Sequence, residues 1–183
     1  MNEPINHHYL PVFYLKQWCG DDSKVVRYYR PRREVVFKPI TPENTGYEPH
    51  LYRFEGFPPG LRALIETDYM GPKIDEQASK VLSLLLGQKL PATDLMRRAW
   101  ARFLMSLALR NPQTLAALNS DMKGGGTPVL PWFIEELSKW FHAMRWFVFD
   151  LSGAATPLLT SDRPLFGQHG FGDVRRRGVR VRG

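Results

Sequence analysis

The sequence predicts an α+β fold, with a predominantly helical middle of about four to six helices flanked by an N-terminal β-hairpin and a C-terminal strand pair. Three observations carry that reading. Val25–Tyr29 and residues 34–38 are β-branched and aromatic runs joined by the turn-forming Arg30-Pro31-Arg32-Arg33. Between Gly60 and Met144 the apolar residues recur at helical spacing, and at residues 145–150 and 158–160 the period shortens again.

The chain opens with a helix predicted from Pro11 to about Trp18, because proline suits a first helical position and Val12, Phe13, Leu15 and Trp18 follow with helical spacing. After the hairpin, residues 39–59 hold Pro, Gly and Asn among scattered rings and read as an irregular loop, long enough to be a lid or cover. Leu61, Leu64, Ile65 and Tyr69 share one helical face, as do Ile74, Ala78, Val81, Leu82 and Leu85, with Gly87 and Pro91 as the stop. Thr93 or Asp94 can cap the next helix, whose apolar stripe runs through Trp100, Phe103 and Leu107, while Arg97, Arg98 and Arg102 are expected on a solvated face. Asn111-Pro112 starts a further helix, closed by the linker-like Lys123-Gly124-Gly125-Gly126, and Pro131 is expected to open the last one. The residue 145–150 strand then turns through Gly153-Ala154-Ala155 into residues 158–160, so that the two ends of the domain could share one sheet.

Composition bounds the function. With 183 residues, 43% of them hydrophobic and 13% aromatic, the chain can bury a core, and residues 1–165 are expected to form one domain. No apolar run approaches the roughly 18 residues of a membrane span, and the first residues lack the pattern of a signal peptide. The single cysteine, Cys19, gives no reason for an oxidising compartment, so the expected location is the cytoplasm. Of the formal net charge of +7, residues 173–183 carry five arginines and one aspartate, which leaves the preceding residues ordinary. Residues 166–183 therefore read as a disordered Gly/Arg/Val tail, either an out-of-frame or truncated end of a GC-rich gene or a basic arm for nucleic acid. Nucleic acid is thus a partner suggested by the basic tail alone, and no membrane partner is expected.

The opening Asn6-His7-His8-Tyr9-Leu10-Pro11-Val12-Phe13-Tyr14-Leu15 resembles the signature of the domain of unknown function 4238 family. Ile65-Glu66, Pro72 with Ile74-Asp75-Glu76-Gln77-Ala78, Leu109-Arg110-Asn111-Pro112 and Leu159-Thr160-Ser161-Asp162-Arg163-Pro164 are similar to later blocks of that family, in order, over residues 6 to about 165. The resemblance implies an architecture and a set of recurring polar positions, and no activity; family members continue past the last block with strand-forming sequence, whereas this chain enters its Gly/Arg/Val tail.

Those positions supply the candidate site: His8, Glu66, Asp162 and Arg110. His7 and His8 are neighbours on an extended backbone and point to opposite sides, so one at most is expected to serve a site. Glu66 lies next to the buried stripe and needs a partner, either Arg110 or a histidine. Asp75 and Glu76 are explained by the dipole of a helix start, and Asp162 by a turn at a strand end. Two functions follow. Either the polar residues form a buried structural network or binding site that staples the N-terminal segment to the last strand, or they are a His/Glu/Asp cluster of a metal-dependent hydrolase or nuclease-like enzyme, with Arg110 clamping an anion. The network reading expects Asp162→Asn to destabilise the fold. No cofactor and no metal is named by the sequence.

Overall fold

The chain begins with a short extended piece, because Asn6-His7-His8 finds an antiparallel partner in a segment forty residues away. This strand, β1 (Asn6–His8), pairs with β4 (Tyr47–Pro49), with His7 opposite Glu48 and His8 opposite Tyr47. The structure is a computed structural model and describes residues 4–123, 125–151, 153–155 and 158–164. Pro11 then starts α1 (Val12–Leu15), which tightens into a 3₁₀ turn, Lys16–Trp18. β2 (Val25–Tyr29) and β3 (Val36–Ile40) form the expected hairpin, in a register that sets Arg27 opposite Lys38 and Tyr28 opposite Phe37.

The expected loop at residues 39–59 is more ordered than its composition suggested, because it contains β4. Gly46 makes that possible. Its φ of +69° lies in the left-handed region, and its carbonyl oxygen accepts from the N–H groups of Tyr9 and Leu10 at 2.8 and 3.0 Å. A Cβ there would stand 2.9 Å from the Leu10 Cβ.

The helical middle starts with a wide π-helical segment, Ile65–Asp75, that contains Pro72 and runs directly into α2 (Glu76–Leu86). The Glu76 N–H donates five residues back, to the Gly71 carbonyl. Proline lacks the N–H that a regular helix needs, and the wide turn absorbs it between Ile65, Met70 and Ile74, which are all buried. α3 (Asp94–Leu109) is capped by Thr93, whose hydroxyl accepts from the Met96 N–H at 3.2 Å. α4 (Pro112–Asp121) is capped by Asn111 in the same way, at 2.9 Å to the Thr114 N–H.

α5 (Gly126–Ala143) begins five residues before the expected Pro131, because the Asn119 side chain accepts from the Thr127 N–H at 2.8 Å and holds the new helix start against α4. α3 packs against α2, α4 and α5, and around it the core gathers Tyr52, Met70, Ile74, Phe103, Leu130 and Ile134. The arginines of α3 do not form a plain solvated face. Arg102 pairs with Glu135 of α5 at 2.8 Å and Arg97 lies over the Trp146 ring at 4.3 Å, while Arg98 alone pairs along its own helix, with Asp94.

The five helices and two antiparallel ribbons make an α+β fold, but the C-terminal strand pair is not formed among the described residues. Residues 145–151 run without strand pairing, with Phe147 and Phe149 exposed. A β-prone run needs a free edge within reach, and this one is held at the end of α5: the Trp146 Nε1 donates to the Phe141 carbonyl at 2.8 Å, and Gln88 donates to Asp150 at 2.8 Å. Residues 158–162 are tied instead to α1, through a 2.8 Å bond between the Tyr14 hydroxyl and the Thr160 hydroxyl. The tail expected at residues 166–183 lies outside the described residues. No helix among the described residues is long and apolar enough to cross a membrane.

Candidate functional site

Two adjacent histidines on a strand serve two different faces, as alternation requires. His7 is fully buried and stacked on Tyr52, with ring centroids 5.5 Å apart. Its Nδ1 accepts from the Tyr52 backbone N–H at 3.0 Å and its Nε2 meets the Pro4 carbonyl at 3.1 Å. Those two partners assign a neutral ring protonated on Nε2. His7 is therefore a structural link between the first strand and the residues after β4.

His8, on the other face, lies at the edge of the Tyr47 ring and looks toward the helices. There the Arg110 charge acts on it. The spacing Phe103, Leu107, Arg110 puts the arginine on the buried face of α3, at its C-terminal end. The Arg110 side chain is 0% exposed and its Nη1 donates to the Asp75 Oδ1 at 2.9 Å. Asp75 comes from the end of the π-helical segment, and Glu66 from its start. The Tyr52 hydroxyl donates to the His8 carbonyl at 3.1 Å, with the Arg110 carbonyl at 3.5 Å as a longer second acceptor. The Arg110 guanidinium also lies 5.6 Å from the Phe103 ring centroid.

The electrostatics follow from burial. Desolvation pushes the Glu66 carboxyl up to about 7, reinforced by the Asp75 charge and opposed by Arg110. Burial raises Asp75 as well, against the pull of the Arg110 charge and hydrogen bond. His8 is lowered, first by burial, against a backbone hydrogen bond to Glu43 and the Asp75 charge. Burial raises the Tyr52 hydroxyl too, beyond any reach of neutral pH. At neutral pH the cluster thus holds a neutral imidazole and a carboxyl near its midpoint beside the Arg110–Asp75 pair. Four of its side-chain atoms are shut off from solvent without a hydrogen-bond partner: His8 Nε2, Glu66 Oε2, and Nε and Nη2 of Arg110. The last two form one edge of the guanidinium fork.

Of the four candidate residues, His8, Glu66 and Arg110 converge, and Asp162 does not join them. Asp162 is exposed, and its charge acts on the Tyr9 hydroxyl. It lines a cleft of about 630 Å³ whose other walls include Tyr9, Trp18 and Arg27. Two members of the cluster were missed by sequence reasoning. Asp75, assigned to a helix dipole, is the ion-pair partner of Arg110, and the signal was its place beside the buried Ile74. Tyr52 reads in the sequence only as one of the rings that pin the irregular loop, with no tie to the polar positions. Among the described residues, no three His, Cys, Asp or Glu side chains are grouped so that they could hold a metal ion, so the donor set of the metal-dependent hydrolase is not assembled.

Comparison with known proteins places the chain only by family. No curated protein matches it, and no solved structure does. The family described as Protein of unknown function (DUF4238) matches residues 6–126, a span that contains His8, Tyr52, Glu66, Asp75 and Arg110 and stops before the segment of Asp162. Since that match covers more than half of its length, the chain belongs to the DUF4238 family.

Proposed function

We propose that the chain is a non-catalytic binding module, in which the network around Arg110 staples the β1–β4 ribbon to the helices and thereby holds the wall of the cleft beside β2. The observation that carries this reading is the fully buried Arg110 paired with Asp75, linked through Tyr52 to the first strand. Arg110 is paired with Asp75 within the cluster, as a buried charge requires. Its unpartnered atoms are closed to solvent, whereas a catalytic group has to face the place where substrate sits. An open cleft lies elsewhere, between β2 and residues 158–162, and there Asp162 belongs to the binding surface rather than to a catalytic set. In this reading His8, Glu66 and Arg110 are structural members, residues 1–165 act as one unit, and a single cysteine fits a cytoplasmic location.

Hydrogen exchange on the Arg110→Met protein tests the staple. The amides of Asn6–His8, Tyr47 and Glu48 are expected to exchange faster, while α3 and α5 keep their protection. Unchanged protection of the ribbon, together with loss of an ester or phosphodiester hydrolysis that the parent performs, would overturn the proposal in favour of catalysis.

A further inference from the structure

The β2–β3 ribbon concentrates charge that the chain as a whole dilutes. Residues 24–40 hold Lys24, Arg27, Arg30, Arg32, Arg33 and Lys38 against the single acid Glu34, a net +5. All six cations are exposed, and among the described residues no carboxylate lies within ion-pair distance of any of them. The register makes this costly. Arg27 stands directly opposite Lys38, and like charges across a strand pair destabilise it unless an anion sits between them.

The opposite face of the same ribbon is aromatic. Side chains alternate, so Tyr28 and Phe37 share the face away from Arg27 and Lys38. Their rings are 6.1 Å apart, and they remain 59% and 68% exposed. Tyr29, with the Arg27 guanidinium 5.5 Å from its ring centre, continues the ribbon toward its tip. The flank of β2 borders the cleft of about 630 Å³, whose walls add Tyr9 and Trp18. Free π-faces, unpaired cations on one ribbon and an aromatic-lined cleft alongside match what a single-stranded nucleic acid needs: rings for its unpaired bases and cations for its phosphates. A base-paired duplex has no bases free to stack there.

We infer that the β2–β3 ribbon is a docking arm for single-stranded nucleic acid that wraps the edge of β2, its phosphates against Arg27 and Lys38 on one face and its bases on Tyr28 and Phe37 on the other. The inference deepens the binding-module reading and rests on it. The two fail separately, since the staple is read by exchange at β1 and β4 and the arm by binding.

The test is fluorescence anisotropy of the full chain with a labelled 20-nucleotide oligothymidylate, the matching oligouridylate, a duplex of equal length, and vesicles of phosphatidylcholine with phosphatidylserine. Because residues 173–183 are also basic, every measurement is repeated on a protein with Arg175, Arg176, Arg177, Arg180 and Arg182 replaced by Gln. Single strands are expected to bind in both backgrounds. Arg27→Gln with Lys38→Gln should weaken binding and reduce the slope of log affinity against log salt by about 1.4, at about 0.7 per lost phosphate contact on a single strand. Arg27→Lys with Lys38→Arg should restore both. Tyr28→Ser with Phe37→Ser should cost at least about tenfold with the slope unchanged, as lost stacking does. Binding that disappears with the tail arginines, equal affinity for the duplex, a preference for vesicles, or indifference to the Tyr28 and Phe37 changes would each overturn the inference.

Discussion

Replacing Asp75 with Asn keeps the size of the side chain and removes the charge paired with Arg110. The guanidinium is 0% exposed, and its Nε and Nη2 already lack partners, so no other group takes over when the 2.9 Å ion pair is lost. Glu66, the other carboxyl of the cluster, sits near half protonation at pH 7 and supplies at most part of a charge. Removing one partner of a buried pair costs about 3–5 kcal/mol; the 22% exposure of Asp75, and the burial that already raises its carboxyl against the pull of Arg110, favour the lower end, about 3. For a chain of this size each kcal/mol lowers the melting temperature by about 2–4 °C, so Asp75→Asn should melt about 6–12 °C below the parent. Thermal unfolding followed by circular dichroism, with urea unfolding at pH 7 beside it, measures both quantities. Glu76→Gln is the control: its pair with Lys80 is exposed on both sides, and its loss should stay within about 0.5 kcal/mol. A melt within 2 °C of the parent for Asp75→Asn would refute the reasoning, because it would mean that Arg110 does not depend on that carboxylate.

Three more expectations follow from the same geometry. Because burial raises the Glu66 carboxyl in the folded state to about 7, the folded protein holds its proton more tightly than the unfolded chain; that stability is complete below the ordinary pKa of 4.5 and is lost as pH rises through about 7. Glu66→Gln should therefore flatten this decline and be more stable than the parent at pH 8, whereas the lowered His8 acts oppositely, losing stability as pH falls below 6.5, so the difference between parent and variant over pH 5–8 is the quantity to fit. Gly46→Ala should destabilise by more than about 1 kcal/mol, since φ is +69° and the added carbon meets Leu10; urea unfolding checks it. Asp162→Asn, which the sequence alone led us to expect to be destabilising, should stay within about 0.5 kcal/mol in the same assay, because Asp162 is exposed.

Local physics was legible in the sequence. The N-terminal hairpin, one of the two caps offered for α3 (Thr93), the helix start at Asn111-Pro112 and the apolar stripe of α3 are properties of a few neighbouring residues, and they appear where the residue types place them. The family blocks also flagged His8, Glu66 and Arg110, and with them the family itself. Partnership between distant residues was not legible. That β1 pairs with β4 depends on Gly46 bending the chain back, and that Asp75 serves Arg110 depends on a wide turn around Pro72, which helical periodicity does not describe. The β-prone residues 145–150 form no strand because a strand is a relation between two segments, and Trp146 is held back on α5 before it reaches an edge. Separation was likewise decided only in three dimensions. Asp162, grouped by sequence with His8 and Glu66, lies on an open cleft, while those two sit against a buried arginine, because burial and distance arise from how the elements pack and not from the order of residues.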